Sequence, residues 1–157
     1  MIISFSGDPF LAPRAAREFL REQGLRSDEV IELGEGMEAG EVALQAAQGG
    51  LFGRVGLLLD FDSAFTGKGG VKPRNDVLSA LESVPDEAVV VVLDLGATAA
   101  RQKRYRELGE HHDLPTPRFG ALTAWVRDEL KRADMRFTRE VPEVLADLFG
   151  EDLPAIA

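Results

Sequence analysis

The sequence predicts an α/β fold, a parallel sheet wrapped by helices and followed by the start of a small all-helical domain. Three observations carry this. Strand signals alternate with helical ones from Ile2 to Leu108. The strands over residues 54–60 and 88–94 are apolar without alternation, as strands covered on both faces must be. Beyond Gly120 helical stripes follow one another with no strand between them.

Taken in order, Ile2, Ile3 and Phe5 open a first strand over residues 2–6, closed by Gly7, Asp8 and Pro9. Ala15, Ala16, Phe19 and Leu20 recur at helical spacing, with Pro13 suited to the first turn and Gly24 to the stop. Residues 29–33 form a second short strand. An Ala-rich helix over 38–48 is ended by Gly49 and Gly50, which leaves Leu51 and Phe52 on a turn entering the third strand. A Gly/Lys loop covers 65–73, where Pro73 interrupts before any helix. Val77, Leu78, Leu81 and Val84 then mark a short helix capped by Asn75 or Asp76. The valine strand over 88–94 leads to a helix over 97–108.

A short edge strand is expected near 114–119, and Gly120 divides a first domain, 1–119, from a second, 120–157. In the second, Leu122, Trp125, Val126 and Leu130 form one stripe and Val141, Val144, Leu145, Leu148 and Phe149 another, with a third helix beginning at Asp152. These stripes are unmatched at Ala157, so the chain is expected to be a fragment or to be completed by a partner.

Composition narrows the chemistry. No run of about 18 apolar residues is present, so no membrane helix is expected, and the N-terminus lacks the pattern of a secretory signal. With no cysteine there can be no disulfide, thiolate metal site or cysteine nucleophile; a cytoplasmic chain fits this. The 2 histidines make a zinc site unexpected. A net charge of -9 repels nucleic acid, so any contact with DNA needs a local basic face.

The loop after the first strand is where a phosphate-binding loop belongs. Such a loop needs several glycines, a lysine and a magnesium-binding hydroxyl. Gly7, Asp8, Pro9, Phe10, Leu11 and Ala12 supply no lysine, and Asp8 competes with a phosphate for the helix N-terminus. This is a degenerate nucleotide site without ATP hydrolysis. Gly67, Lys68, Gly69 and Gly70 have the wrong order for a phosphate loop and read as a surface turn.

Asp60 and Asp62, ending an apolar strand, have the shape of the paired aspartates of haloacid-dehalogenase-like phosphatases, nucleophile and general acid around magnesium. Ala64 stands where that motif wants threonine or valine, and the simpler reading is two carboxylates that end a strand and cap the next turn. His111, His112 and Asp113 read as a solvated helix end. Arg101, Lys103, Arg104 and Arg106 form either a solvated helix face or a sequence-blind contact with a DNA backbone. Leu51 and Phe52, flanked by Gly49, Gly50 and Gly53, either staple the core or stand out as a binding anchor.

From end to end the chain resembles the N-terminal part of the delta subunit of the bacterial DNA polymerase III clamp loader. The likeness rests on Gly7-Asp8-Pro9-Phe10-Leu11, on Leu51-Phe52-Gly53 followed by a basic residue and an apolar strand, and on the strand over 88–94 followed by the Lys/Arg/Tyr helix. Trp125-Val126 and Gly150-Glu151-Asp152-Leu153 complete it. The resemblance implies an AAA+-like sheet domain that does not hydrolyse ATP and needs no cofactor, then a helical domain. It implies that Leu51 and Phe52 enter a hydrophobic pocket of the sliding clamp and help to open the ring. Partners would be the clamp, the other clamp-loader subunits and, only within the complex, primed DNA. A third apolar residue found upstream in some relatives is not matched, since Gly49 or Gly50 stands there.

Overall fold

A computed structural model describes residues 1–52 and 55–157, with side chains outside residues 49–54. The chain divides into two compact units, Met1–Leu114 and Pro115–Ala157. The division thus falls after Leu114 rather than at Gly120.

The first unit runs β1 (Ile2–Gly7), α1 (Leu11–Glu22), β2 (Val30–Leu33), α2 (Ala39–Phe52), β3 (Gly56–Asp60), α3 (Phe61–Ala64), α4 (Val71–Leu81), β4 (Val89–Leu93), α5 (Ala99–Leu108) and β5 (Glu110–Leu114). The five strands pair in parallel in the order β2-β3-β4-β1-β5. Parallel neighbours need crossover connections, and helices provide them, so the sheet is covered on both faces. On one face Ile3, Phe5, Leu58, Val91 and Leu93 pack against Ala12, Ala16 and Leu20 of α1. On the other, Leu57, Leu59, Val90 and Val92 meet Val42, Ala46, Val77, Leu78, Leu81 and Tyr105 from α2, α4 and α5. Adjacent strand residues thus enter different cores, which explains the lack of alternation in β3 and β4.

Gly24 ends α1 as expected. It lies at φ +78°, its N–H donates to the Arg21 carbonyl, and Leu25 N–H donates to that of Leu20, which satisfies the last turn. Three other expectations fail. First, α2 does not end at Gln48; it runs through Gly49 and Gly50 to Phe52. Glycine weakens a helix by only about 1 kcal/mol per residue. Second, α4 begins at Val71, so Pro73 sits in its first turn and neither Asn75 nor Asp76 is a cap. First-turn N–H groups have no intrahelical acceptor, so proline removes nothing there. Third, the edge strand is Glu110–Leu114, polar and earlier than expected. A strand paired on one side only tolerates charge. Gly109 permits its entry, because a Cβ there would run into the Ile2 carbonyl oxygen.

The second unit holds α6 (Gly120–Arg132), α7 (Val141–Phe149) and α8 (Leu153–Ile156). Leu122, Val126 and Leu130 on α6 are buried, as are Ala146 on α7 and Leu153 on α8. Asp152 caps α8, its carboxylate accepting from Ala155 N–H. Among the described residues no helix is long and apolar enough to cross a membrane.

Candidate functional site

Parallel strands bring all their carboxyl ends to one edge, and open α/β sheets bind ligands there. Along that edge lie Gly7 at the end of β1 and Asp8 after it, Asp60 at the end of β3 and Asp62 in α3, Asp94 after β4 and Asp113 in β5.

The β1–α1 turn has the position of a phosphate loop, and its amide groups are spoken for. Gly7 N–H donates to the Leu95 carbonyl at 3.1 Å and Asp8 N–H to the Leu114 carbonyl at 2.7 Å. Pro9 has none to give. Phe10 and Leu11 N–H both donate to Asp8 Oδ1, at 2.8 and 3.0 Å. Ala12 N–H donates to the Asp8 carbonyl at 3.0 Å. A phosphate at a helix N-terminus is held by such donors; here the Asp8 carboxylate, only 7% exposed, occupies their focus. Gly7 is required at its place, since φ is +107° and a Cβ would strike the Leu114 carbonyl oxygen. The segment after β4 and strand β5 therefore close the loop from both sides.

The Asp60 carboxylate accepts from Asp62 and Ser63 N–H, both at 3.1 Å, and so caps α3. The Asp62 carboxylate accepts from Leu95 N–H at 2.6 Å, tying α3 to the segment after β4. Loss of water, with the Asp94 and Asp60 charges adding to it, pushes the Asp62 carboxyl above its ordinary range. Among the described residues no three His, Asp or Glu side chains converge to hold a metal ion.

Asp94 is 2% exposed. The Tyr105 hydroxyl donates to its Oδ2, and Arg101 forms an ion pair with the same oxygen at 2.9 Å. Burial, and then the hydrogen bond to Asp94, drive the Tyr105 phenol far above its usual value. Arg101 is thus the counter-ion of a buried carboxylate and also donates to the Gly96 carbonyl. Arg104 pairs with Glu82 and, at 3.1 Å, with Glu107. Lys103 is exposed. Two of the four cations considered for DNA, Arg101 and Arg104, already have acidic partners inside the chain.

His111, His112 and Asp113 lie on β5, not on a helix end, and alternate across it. His112 stacks on Phe5, ring centroids 5.4 Å apart. His111 and Asp113 face Ser4 and Ser6. The Ser6 hydroxyl donates to Asp113 Oδ1 at 2.9 Å. The Ser4 hydroxyl donates to the Glu110 carbonyl, which makes His111 Nδ1, 2.9 Å away, the donor in their contact. This serine–histidine–aspartate set is a satisfied structural network. Ser4 and Ser6 are 2% and 1% exposed, and the carboxylate holds a serine where a nucleophilic triad would place it on the imidazole. Ser4, Ser6, Asp94 and Tyr105 are not singled out by sequence reasoning. The available signal is that Ser4 and Ser6 stand two apart on an apolar strand and so share a face.

No family model matches the chain, and no curated protein matches it. In fold it is similar to a chain of the solved E. coli MS115-1 HORMA:CdnC:Trip13 complex. The TM-score is 0.57 over 95% of this chain, at 14% identity, and the chain spans 59% of that chain's length. At such identity the likeness shows fold alone: an α/β parallel sheet flanked by helices and followed by helices. Leu51 and Phe52, the expected clamp contact, lie outside the residues whose side chains are described.

Proposed function

We propose that this chain is a delta-type clamp-loader subunit that grips the DNA sliding clamp through Leu51 and Phe52, works in the cytoplasm and hydrolyses no ATP itself. One observation carries the reading: every backbone amide from Gly7 to Ala12 that can donate does so within the chain. A sheet domain with its phosphate slot filled by its own Asp8 suits a subunit that leaves ATP to sister subunits. Its partners are then the clamp and those subunits, with primed DNA met only in the assembled complex. Burying one leucine and one phenylalanine is worth roughly 1.5–3 kcal/mol each. That anchors a complex, while ring opening draws on the differential affinity of all contacts for the opened form.

The test is capture of a purified sliding clamp by the wild-type chain and by the Leu51→Ala/Phe52→Ala double variant, with folding checked by circular dichroism. Binding that the double substitution removes from a folded chain is expected; equal capture by both, or none by either, defeats the reading. The magnesium phosphatase alternative on Asp60 and Asp62 needs turnover of a generic phosphoester that Asp60→Asn abolishes. Both carboxylates hold backbone amides here, so no turnover is expected.

A further inference from the structure

Helix α7 is apolar over more of its circumference than its own unit covers. Ala146 and Pro142 are buried, but Val144 is 52% exposed and Leu148 71%, four residues apart on one row. Beside that row runs a second pair at the same spacing, Glu143 and Asp147, both exposed. Residues four apart on a helix are neighbours, so the second pair is a like-charge repulsion. Asp147 also stands in the last turn, where the helix dipole disfavours a negative charge.

The other acids of this region are accounted for. Glu151 pairs with Arg118 at 2.8 Å, Asp152 caps α8 and Glu140 bonds Thr138. Glu143 and Asp147 make no ion pair among the described residues, whereas Asp128 and Glu129 on α6 meet Lys131 and Arg132. Two locally unfavourable features thus lie side by side, an uncovered apolar pair and an uncompensated acidic pair. One occupant relieves both.

We propose that this face of α7 docks a basic amphipathic helix of another protein, its apolar anchors on Val144 and Leu148 and its lysines or arginines against Glu143 and Asp147. Charge selects that occupant. Residues 140–157 contain five acidic side chains and no lysine or arginine, in a chain of net charge -9. A second copy would bring acid to acid, and nucleic acid or an anionic membrane would be repelled. The residues of this face are distinct from Leu51 and Phe52, and it stands or falls without them.

The probe is a pair of synthetic helical peptides with leucines at i, i+4 and i+7, one bearing lysines along the flanking row and the other glutamates. Binding to the full 157-residue chain is read by fluorescence anisotropy at low and high salt. The lysine peptide is expected to bind saturably and more weakly in salt, the glutamate peptide at least tenfold worse. Val144→Ser/Leu148→Ser and Glu143→Lys/Asp147→Lys should each weaken the lysine peptide at least tenfold. These side chains are exposed, so an unchanged melting temperature confirms that the variants fold. No saturable binding of the lysine peptide, or binding indifferent to both double variants, overturns the proposal. So does self-association in sedimentation that Leu148→Ser abolishes, or uptake by anionic vesicles.

Discussion

The Tyr105 hydroxyl donates to Asp94 Oδ2 at 2.5 Å, joining the middle of α5 to the end of the central valine strand. Both residues are 2% exposed. The Tyr105 ring also lies in the core beside Phe61, centroids 6.4 Å apart. The same Asp94 receives Arg101, so the basic helix is fastened to the sheet by a buried charge.

Tyr105→Phe removes one donor from that carboxylate and keeps the ring. A buried group losing a hydrogen-bond partner costs about 1–3 kcal/mol. Urea unfolding should show a lower midpoint at an unchanged slope. Asp94→Ala, which strands both the phenol and Arg101, should cost more than Tyr105→Phe.

Asp8→Ala frees the Phe10 and Leu11 amides at the start of α1. Loss of such a cap costs about 0.5–2 kcal/mol, visible as a lower melting temperature. ATP with magnesium should raise the melting temperature of neither the wild type nor this variant, since no lysine stands in the loop. Stabilisation by ATP in either would show a working nucleotide site.

Gly7→Ala forces a Cβ onto the Leu114 carbonyl at a φ that side chains rarely adopt. The loss should exceed about 3 kcal/mol, and protection of the β1 and β5 amides from hydrogen exchange should fall before that of β3.

His111 and Asp62 set opposite pH dependences. Burial, with the Arg106 charge adding to it, lowers the His111 pKa below its ordinary 6.5. A group depressed by folding contributes stability above its unfolded value, and that contribution is lost as pH falls through the folded one. The urea midpoint should therefore drop as pH falls below about 6.5, and His111→Gln should flatten the drop. Asp62 is raised above 3.8, so its contribution is present below that pH and lost as pH rises through the higher value. At neutral pH Asp62→Asn, which can still accept from Leu95 N–H, should raise the midpoint.

The alternation of strands and helices, the double-sided burial of β3 and β4, and the Gly24 stop were all legible in the residues themselves. Each depends on local patterning: an apolar run must be covered on both faces, and a left-handed residue after a helix is best a glycine. The course of α2 through two glycines and of α4 from Val71 was not legible. Turn residues mark where a helix can stop without saying whether tertiary packing carries it on.

The sequence alone determined a parallel α/β sheet, a helical sequel and a first strand-to-helix loop without a lysine. Only the tertiary structure decided that the loop is shut, that Asp94 is buried under Tyr105 and Arg101, and that a polar strand of histidines seals the sheet beside β1. The reason is range. Periodicity and caps act over a few residues, whereas the carbonyls of Leu95 and Leu114 that take the amides of Gly7 and Asp8 belong to distant segments brought alongside by the sheet.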